Sequence, residues 1–170
     1  MNRYGLVAFA CGSTTSIELV CERLRIRLDT TDSILLRDAV QREENRVGFY
    51  NGSMLLCSVD NLQFFHEPSS DLTKRIIGSF SSGKGCAVYQ FSIPDVHGYA
   101  YFEEGQSLRI KHGSVNEVWV DCGNALAIEA LGLPIVRIQE ELVEQVTGEE
   151  LPELLGRDIR MFRFDAVEYP

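Results

Sequence analysis

Cys11-Gly12-Ser13-Thr14-Thr15 follows the apolar run Tyr4–Ala10 and precedes Ile17, Val20, Cys21 and Leu24 at helical spacing. Strand, tight turn and helix N-terminus in that order bring backbone amides and three hydroxyls to one place. An anion can bind there, and the helix dipole would stabilise a thiolate at Cys11. A cysteine nucleophile also requires a base, and no local signature selects among His66, His97 and His112. The competing reading is a set of N-cap hydroxyls beside a buried cysteine.

Two other constellations invite chemistry. Pro94-Asp95-Val96-His97-Gly98 reads as a loop between strands that presents Asp95 and His97 together, a carboxylate able to orient an imidazole. Pro, Asp and Gly equally describe a plain turn. Gly78-Ser-Phe-Ser-Ser-Gly83-Lys84 fits seven positions of a phosphate-binding loop, but Gly85 stands where a magnesium-binding hydroxyl is needed. Its glycines also close a helix instead of opening one, so a helix C-terminus accounts for them.

Charge supplies a different candidate. Gln139 to Glu153 holds six glutamates and no basic residue. Glu140, Glu141, Glu144, Glu149 and Glu150 are therefore candidate contacts for a basic partner, against the alternative of a solvated helical face. Arg23, Arg25 and Arg27 alternate with Leu24, Ile26 and Leu28 as if on one face of a strand. There they would discourage edge-to-edge pairing or hold an anion.

The 170 residues carry a net charge of −9, with 45% apolar residues, which suits a folded domain and disfavours contact with phosphate backbones. Five cysteines form no CxxC pair, and the histidines do not bracket them at zinc-binding spacing. Reduced, mostly buried thiols are expected, with no metal and no cofactor. Leu6–Cys11 is too short for the apolar core of a signal peptide, and no run approaches membrane-spanning length. A soluble cytoplasmic protein is the expectation.

The elements that must position these groups follow from local pattern. Asn51-Gly52, between Val47–Tyr50 and Ser53–Ser58, is the strongest signal in the chain, because this pair readily supplies the two positive φ angles of a type I′ hairpin. Gly98–Phe102 and Ser107–Lys111 form a second hairpin around Glu103–Gln106. A strand over Tyr4–Ala10 leads into a helix that gives way to a short strand near Leu24, with a helix running through as the alternative. Thr31-Asp-Ser33 caps a second helix bearing Leu35, Leu36, Ala39 and Val40, and Ser69-Ser-Asp71 starts a third. Further strands are expected over Cys86–Ile93 and Glu117–Cys122, the latter with Val118 and Val120 on one face and Trp119 in the core. Helices follow over Asn124–Leu131, around Ile138–Val146 and over Glu149–Leu155, and a strand closes the chain from Ile159 to about Asp165. The order predicts one α+β domain over 1–170, with a mixed, predominantly antiparallel sheet, helices mainly on one face, and residues 132–156 as an appended helical subregion.

The first strand with its small-residue turn, the early aromatic hairpin and the segment GYAYFEEGQSLRI together resemble an uncharacterised family of bacterial cytoplasmic proteins, known only as a domain of unknown function. That family's aromatic–x–aromatic–E–x–G–x–L–x–R hairpin is matched loosely by Tyr99, Tyr101, Phe102, Glu103, Gly105, Leu108 and Arg109. The resemblance spans residues 4–115, and Val115–Pro170 departs from it. It implies fold and compartment and carries over no catalytic residue.

The expected function is that of a small acidic protein-interaction or accessory module, immunity- or antitoxin-like, which binds a basic protein. No nucleic acid or membrane is expected, and a homodimer through a free strand edge is permitted. The alternative is a cryptic enzyme or an anion- or small-molecule-binding domain, with Cys11, Asp95 and His97 as catalytic candidates and Gly12, Ser13, Thr14 and Thr15 as ligand contacts.

Overall fold

The computed structural model describes residues 3–10, 16–42, 44–57, 83–92 and 95–167. The candidate turn Cys11–Thr15, His66, the helix expected after Ser69 and most of the Gly78–Lys84 motif lie outside the described residues.

Among the described residues nine strands build one sheet: β1 (Arg3–Ala10), β2 (Ile26–Leu35), β3 (Arg46–Tyr50), β4 (Ser53–Cys57), β5 (Lys84–Ser92), β6 (Asp95–Glu103), β7 (Gln106–Ser114), β8 (Val118–Gly123) and β9 (Arg160–Ala166). The order across the sheet is β2-β9-β3-β4-β1-β5-β6-β7-β8, and each neighbouring pair is antiparallel. Both sequence-signalled hairpins close on two-residue turns with positive φ at each centre. Asn51 and Gly52 have φ of 47° and 79°, and Glu104 and Gly105 have 50° and 75°.

Strand alternation sends apolar side chains to both faces of the sheet. On one face Leu6, Ala8, Leu55, Cys57, Val88 and Met161 pack with three helices, α2 (Leu36–Ala39), α3 (Ile135–Thr147) and α4 (Leu151–Leu155). Ile138, Leu142, Val143 and Val146 recur at helical spacing and are buried there. Ile138, Leu142, Val143, Val146, Leu151 and Leu154 thus pack in the same cluster as the sheet residues. On the other face Val47, Met54, Leu56, Ala87, Tyr89, Phe102 and Ile110 form a second cluster, joined by Leu24 of α1 (Ile17–Leu24).

Ser16 caps α1 by accepting the Leu19 amide at 3.2 Å, and Arg25 ends it at φ 55°. The helix-to-strand change at Leu24 is as expected, but the three arginines do not share a strand face. Arg23 is helical, Arg25 is the left-handed cap, and Arg27 is in β2.

Thr31-Asp-Ser33 does not cap a helix. These residues continue β2, where Thr30, Thr31 and Asp32 bulge out between the Asp29–Arg163 and Ser33–Phe162 pairs. Asp29 accepts the Thr31 amide at 3.0 Å. Asp32 accepts the buried Arg46 Nη1 at 2.8 Å, so Asp32 answers a buried cation and only one helical turn remains for Leu36–Ala39.

Candidate functional site

Among the described residues β2 and β8 are the outer strands of the sheet, and their sequences treat that position differently. β2 carries Arg27, Asp29 and a three-residue bulge, the usual devices that discourage pairing at an edge. β8 and its lead-in turn carry two exposed carboxylates, Glu117 and Asp121, no cation, and exposed apolar groups. Val118 is 55% exposed and Trp119 43%.

Trp119 is not a core residue. Val118 lies opposite Gly113 and Val120 opposite His112, so Trp119 is the extra residue of a β-bulge. The bulge moves Val118 and Val120 to opposite faces, against the alternation that placed them together. A Cβ at Gly113 would collide with the Glu117 carbonyl, and glycine there permits the close approach of the β7–β8 turn. Trp119 meets His112 edge-on, with ring centroids 5.0 Å apart, and buried His112 is hydrogen-bonded to the Tyr89 hydroxyl. His112 is thereby a structural group of the core.

Arg109, opposite Gly123 at the far end of β8 from the bulge, anchors the strand. Its guanidinium donates to Glu129 through Nε (2.9 Å) and Nη2 (2.8 Å), and through Nη1 to Asp121 and to the Gly123 carbonyl at 3.1 Å. Glu129, from a 3-10 turn over Ala127–Leu131, also accepts Tyr99 Oη at 2.7 Å and the Leu126 amide at 2.6 Å. Burial alone raises the Glu129 carboxyl. The donors Arg109, Leu126 and Tyr99 outweigh it and hold the carboxyl down to about 2. The network fixes the geometry of β8, whose outer edge is unpaired among the described residues. Spacing in the sequence gave no sign of Glu129 or Asp121 as partners, because they lie 20 and 12 residues from Arg109.

On the helix-covered face beside β8 lies a cleft of about 230 Å³ lined by His97, Tyr99, Lys111, Val115, Val118 and Ile135. Asp95 and His97 are brought together as expected, with Nδ1 and Oδ1 3.8 Å apart, but on strand β6 instead of a loop. The distance is an ion-pair separation, too long for a hydrogen bond.

The glutamate run is less acidic in space than in sequence. Arg137 pairs with Glu140 at 2.6 Å and lies 3.7 Å from Glu141, and Arg157 pairs with Glu149 at 2.9 Å. Tyr50 donates to Glu149 at 2.7 Å. Glu144 and Glu150 stay exposed. The cations that neutralise the run lie just outside it, at its upstream and downstream ends.

Cys57 and Cys86 are buried, and desolvation pushes both thiols up to about 12. Cys21 is half-buried and Cys122 is exposed. Among the described residues no group of His, Cys, Asp or Glu could hold a metal, and no helix is long and apolar enough to cross a membrane.

No family model, curated protein or solved structure in the three comparisons matches the chain.

Proposed function

We propose that this chain is an accessory module, of the immunity or antitoxin kind, that binds a basic protein by accepting an extended segment along β8. The observation that carries the reading is the outer edge of β8, where exposed Val118 and Trp119 follow the exposed carboxylate of Glu117 and the strand itself holds no cation, Asp121 being paired with Arg109. A partner strand added there gains main-chain hydrogen bonds, and alternating apolar and basic side chains answer the edge. The net charge of −9 speeds encounter with a cationic partner. Glu144 and Glu150 supply a further acidic contact on the helical layer, whereas Glu140, Glu141 and Glu149 are satisfied within the chain.

Trp119 is the chain's single tryptophan, so its emission reports on this edge directly. A peptide of alternating valine and lysine is expected to shift Trp119 emission in a saturable, salt-sensitive way, and a valine–glutamate peptide is not. Val118→Lys should abolish the response, and with it the capture of a basic protein from the native host at low salt. Equal responses to the two peptides, or unchanged capture by Val118→Lys, would remove β8 from the function. Self-association that depends on Val118 would make a second copy the occupant instead.

A further inference from the structure

We propose that the segment added along β8 is anchored by one aromatic side chain, which lies across Val118 into the cleft over Gly113. This rests on the β8 reading and names the residue by which that edge selects its partner.

A gap in the side-chain layer makes the place. On the helix-covered face His97 of β6, Gly113 of β7 and Val118 of β8 stand opposite one another in a row across three strands. Gly113 brings no side chain. A Cβ there would meet the Glu117 carbonyl and the Val118 Cα, so the chain path itself requires glycine. The row is therefore empty at its centre. The cleft of about 230 Å³ opens over that gap, between Tyr99, Val115 and Ile135.

A strand added beside β8 continues the row. Its residue opposite Val118 projects to the same face, since directly paired residues of neighbouring strands share a face. Val118 is short and β-branched, so a longer side chain from the added strand lies over it and reaches the gap, as long side chains do between diagonal neighbours. A ring laid over a glycine also offsets the weak packing that glycine gives a sheet.

Charge decides against an ionic anchor. Lys111 lies opposite Asp121, Asp121 pairs with Arg109, and Arg109 pairs with Glu129, so two cations meet two carboxylates. His97 has Asp95 at 3.8 Å, and the Tyr99 hydroxyl donates to Glu129. The rest of the wall is apolar and partly in water. Val115 is 68% exposed and Val118 55%, surface that a ring covers. Glu117, exposed just before Val118, favours a basic residue next to the anchor in the partner's sequence.

The test compares the alternating valine–lysine peptide with one whose central valine is phenylalanine, both read by Trp119 emission on the full chain. The phenylalanine peptide should bind roughly tenfold tighter. Its ring should give nuclear Overhauser contacts to the methyls of Val115 and Ile135, a readout that needs no variant. Ile135→Trp, which fills the cleft, and Val115→Ser, which removes an apolar wall, should each bring the ratio of the two affinities toward one. Equal affinities, a ring without contacts to those methyls, or an unchanged ratio in folded Ile135→Trp would overturn the anchor alone, because the valine peptide's response still supports the β8 edge. No response of Trp119 to either peptide removes the β8 reading and the anchor together. Contacts to those methyls from a second copy of the chain, in place of the peptide, would overturn the proposal in favour of self-association.

Discussion

Arg109 and Glu129 face each other through two parallel hydrogen bonds, Nε to Oε2 at 2.9 Å and Nη2 to Oε1 at 2.8 Å, with both side chains nearly out of solvent. This fork ties the 3-10 turn to β7, and Asp121 extends it to β8. A buried pair of this kind is sensitive to the loss of one partner, because the other is left as an uncompensated charge.

Arg109→Met is therefore expected to destabilise the chain by about 3–5 kcal/mol. The double variant Arg109→Met/Glu129→Leu should recover part of that loss, since it buries no orphaned charge. Urea unfolding of the two variants and the parent measures both. If the double variant is no better than the single, the cost is lost packing and not an isolated carboxylate.

The same carboxylate sets a pH dependence. The folded-state value of Glu129 is about 2 against an ordinary 4.5, so the folded state holds the carboxylate more strongly than the unfolded chain does. Its stabilisation is fully present above about pH 4.5 and is lost as pH falls toward 2, a change of about 3 kcal/mol. Glu129→Gln should flatten the acid limb of stability against pH across that window. A carbon NMR titration placing the Glu129 carboxyl near 4.5 would contradict the assignment.

Gln139 reaches from α3 into the sheet, where its Nε2 donates to the carbonyls of Tyr89 and Gly98, each at 2.9 Å. Gln139→Leu removes these donors at a site with no solvent exposure, and about 1–3 kcal/mol should be lost. Gln139→Glu should cost more at neutral pH, because it sets a carboxylate oxygen against two carbonyl oxygens. Acidification, by supplying a proton, should narrow the gap between the two variants. A parallel pH response of both would argue against that repulsion.

Thiol reactivity should follow burial. Iodoacetamide applied to the native chain near pH 8 should label Cys122 and leave Cys57 and Cys86 intact until denaturant is added, because burial holds those two thiols at about 12. Peptide mapping by mass spectrometry reads the order of labelling. Early modification of Cys57 or Cys86 would mean that the sheet opens locally on the labelling timescale.

Local chemistry alone determined much of this protein. Asn51-Gly52 sits at the centre of its hairpin because few residues adopt two successive positive φ angles, and Gly105 supplies the second of them in the other hairpin. The apolar spacing of Ile138, Leu142 and Val146 and the hydroxyl of Ser16 set helices without reference to the rest of the chain. What tertiary structure decided was everything that depends on which strands become neighbours. Only the assembled sheet makes β8 an edge, converts Trp119 from an apparent core residue into a bulge, and draws Thr31 to Ser33 into a strand. Only the fold brings Glu129 to Arg109, and Arg137 and Arg157 to the glutamate run. The physical reason is one of range. Turn and helix preferences act over a few residues, whereas register, edge position and charge pairing are settled by contacts between segments that the sequence keeps far apart.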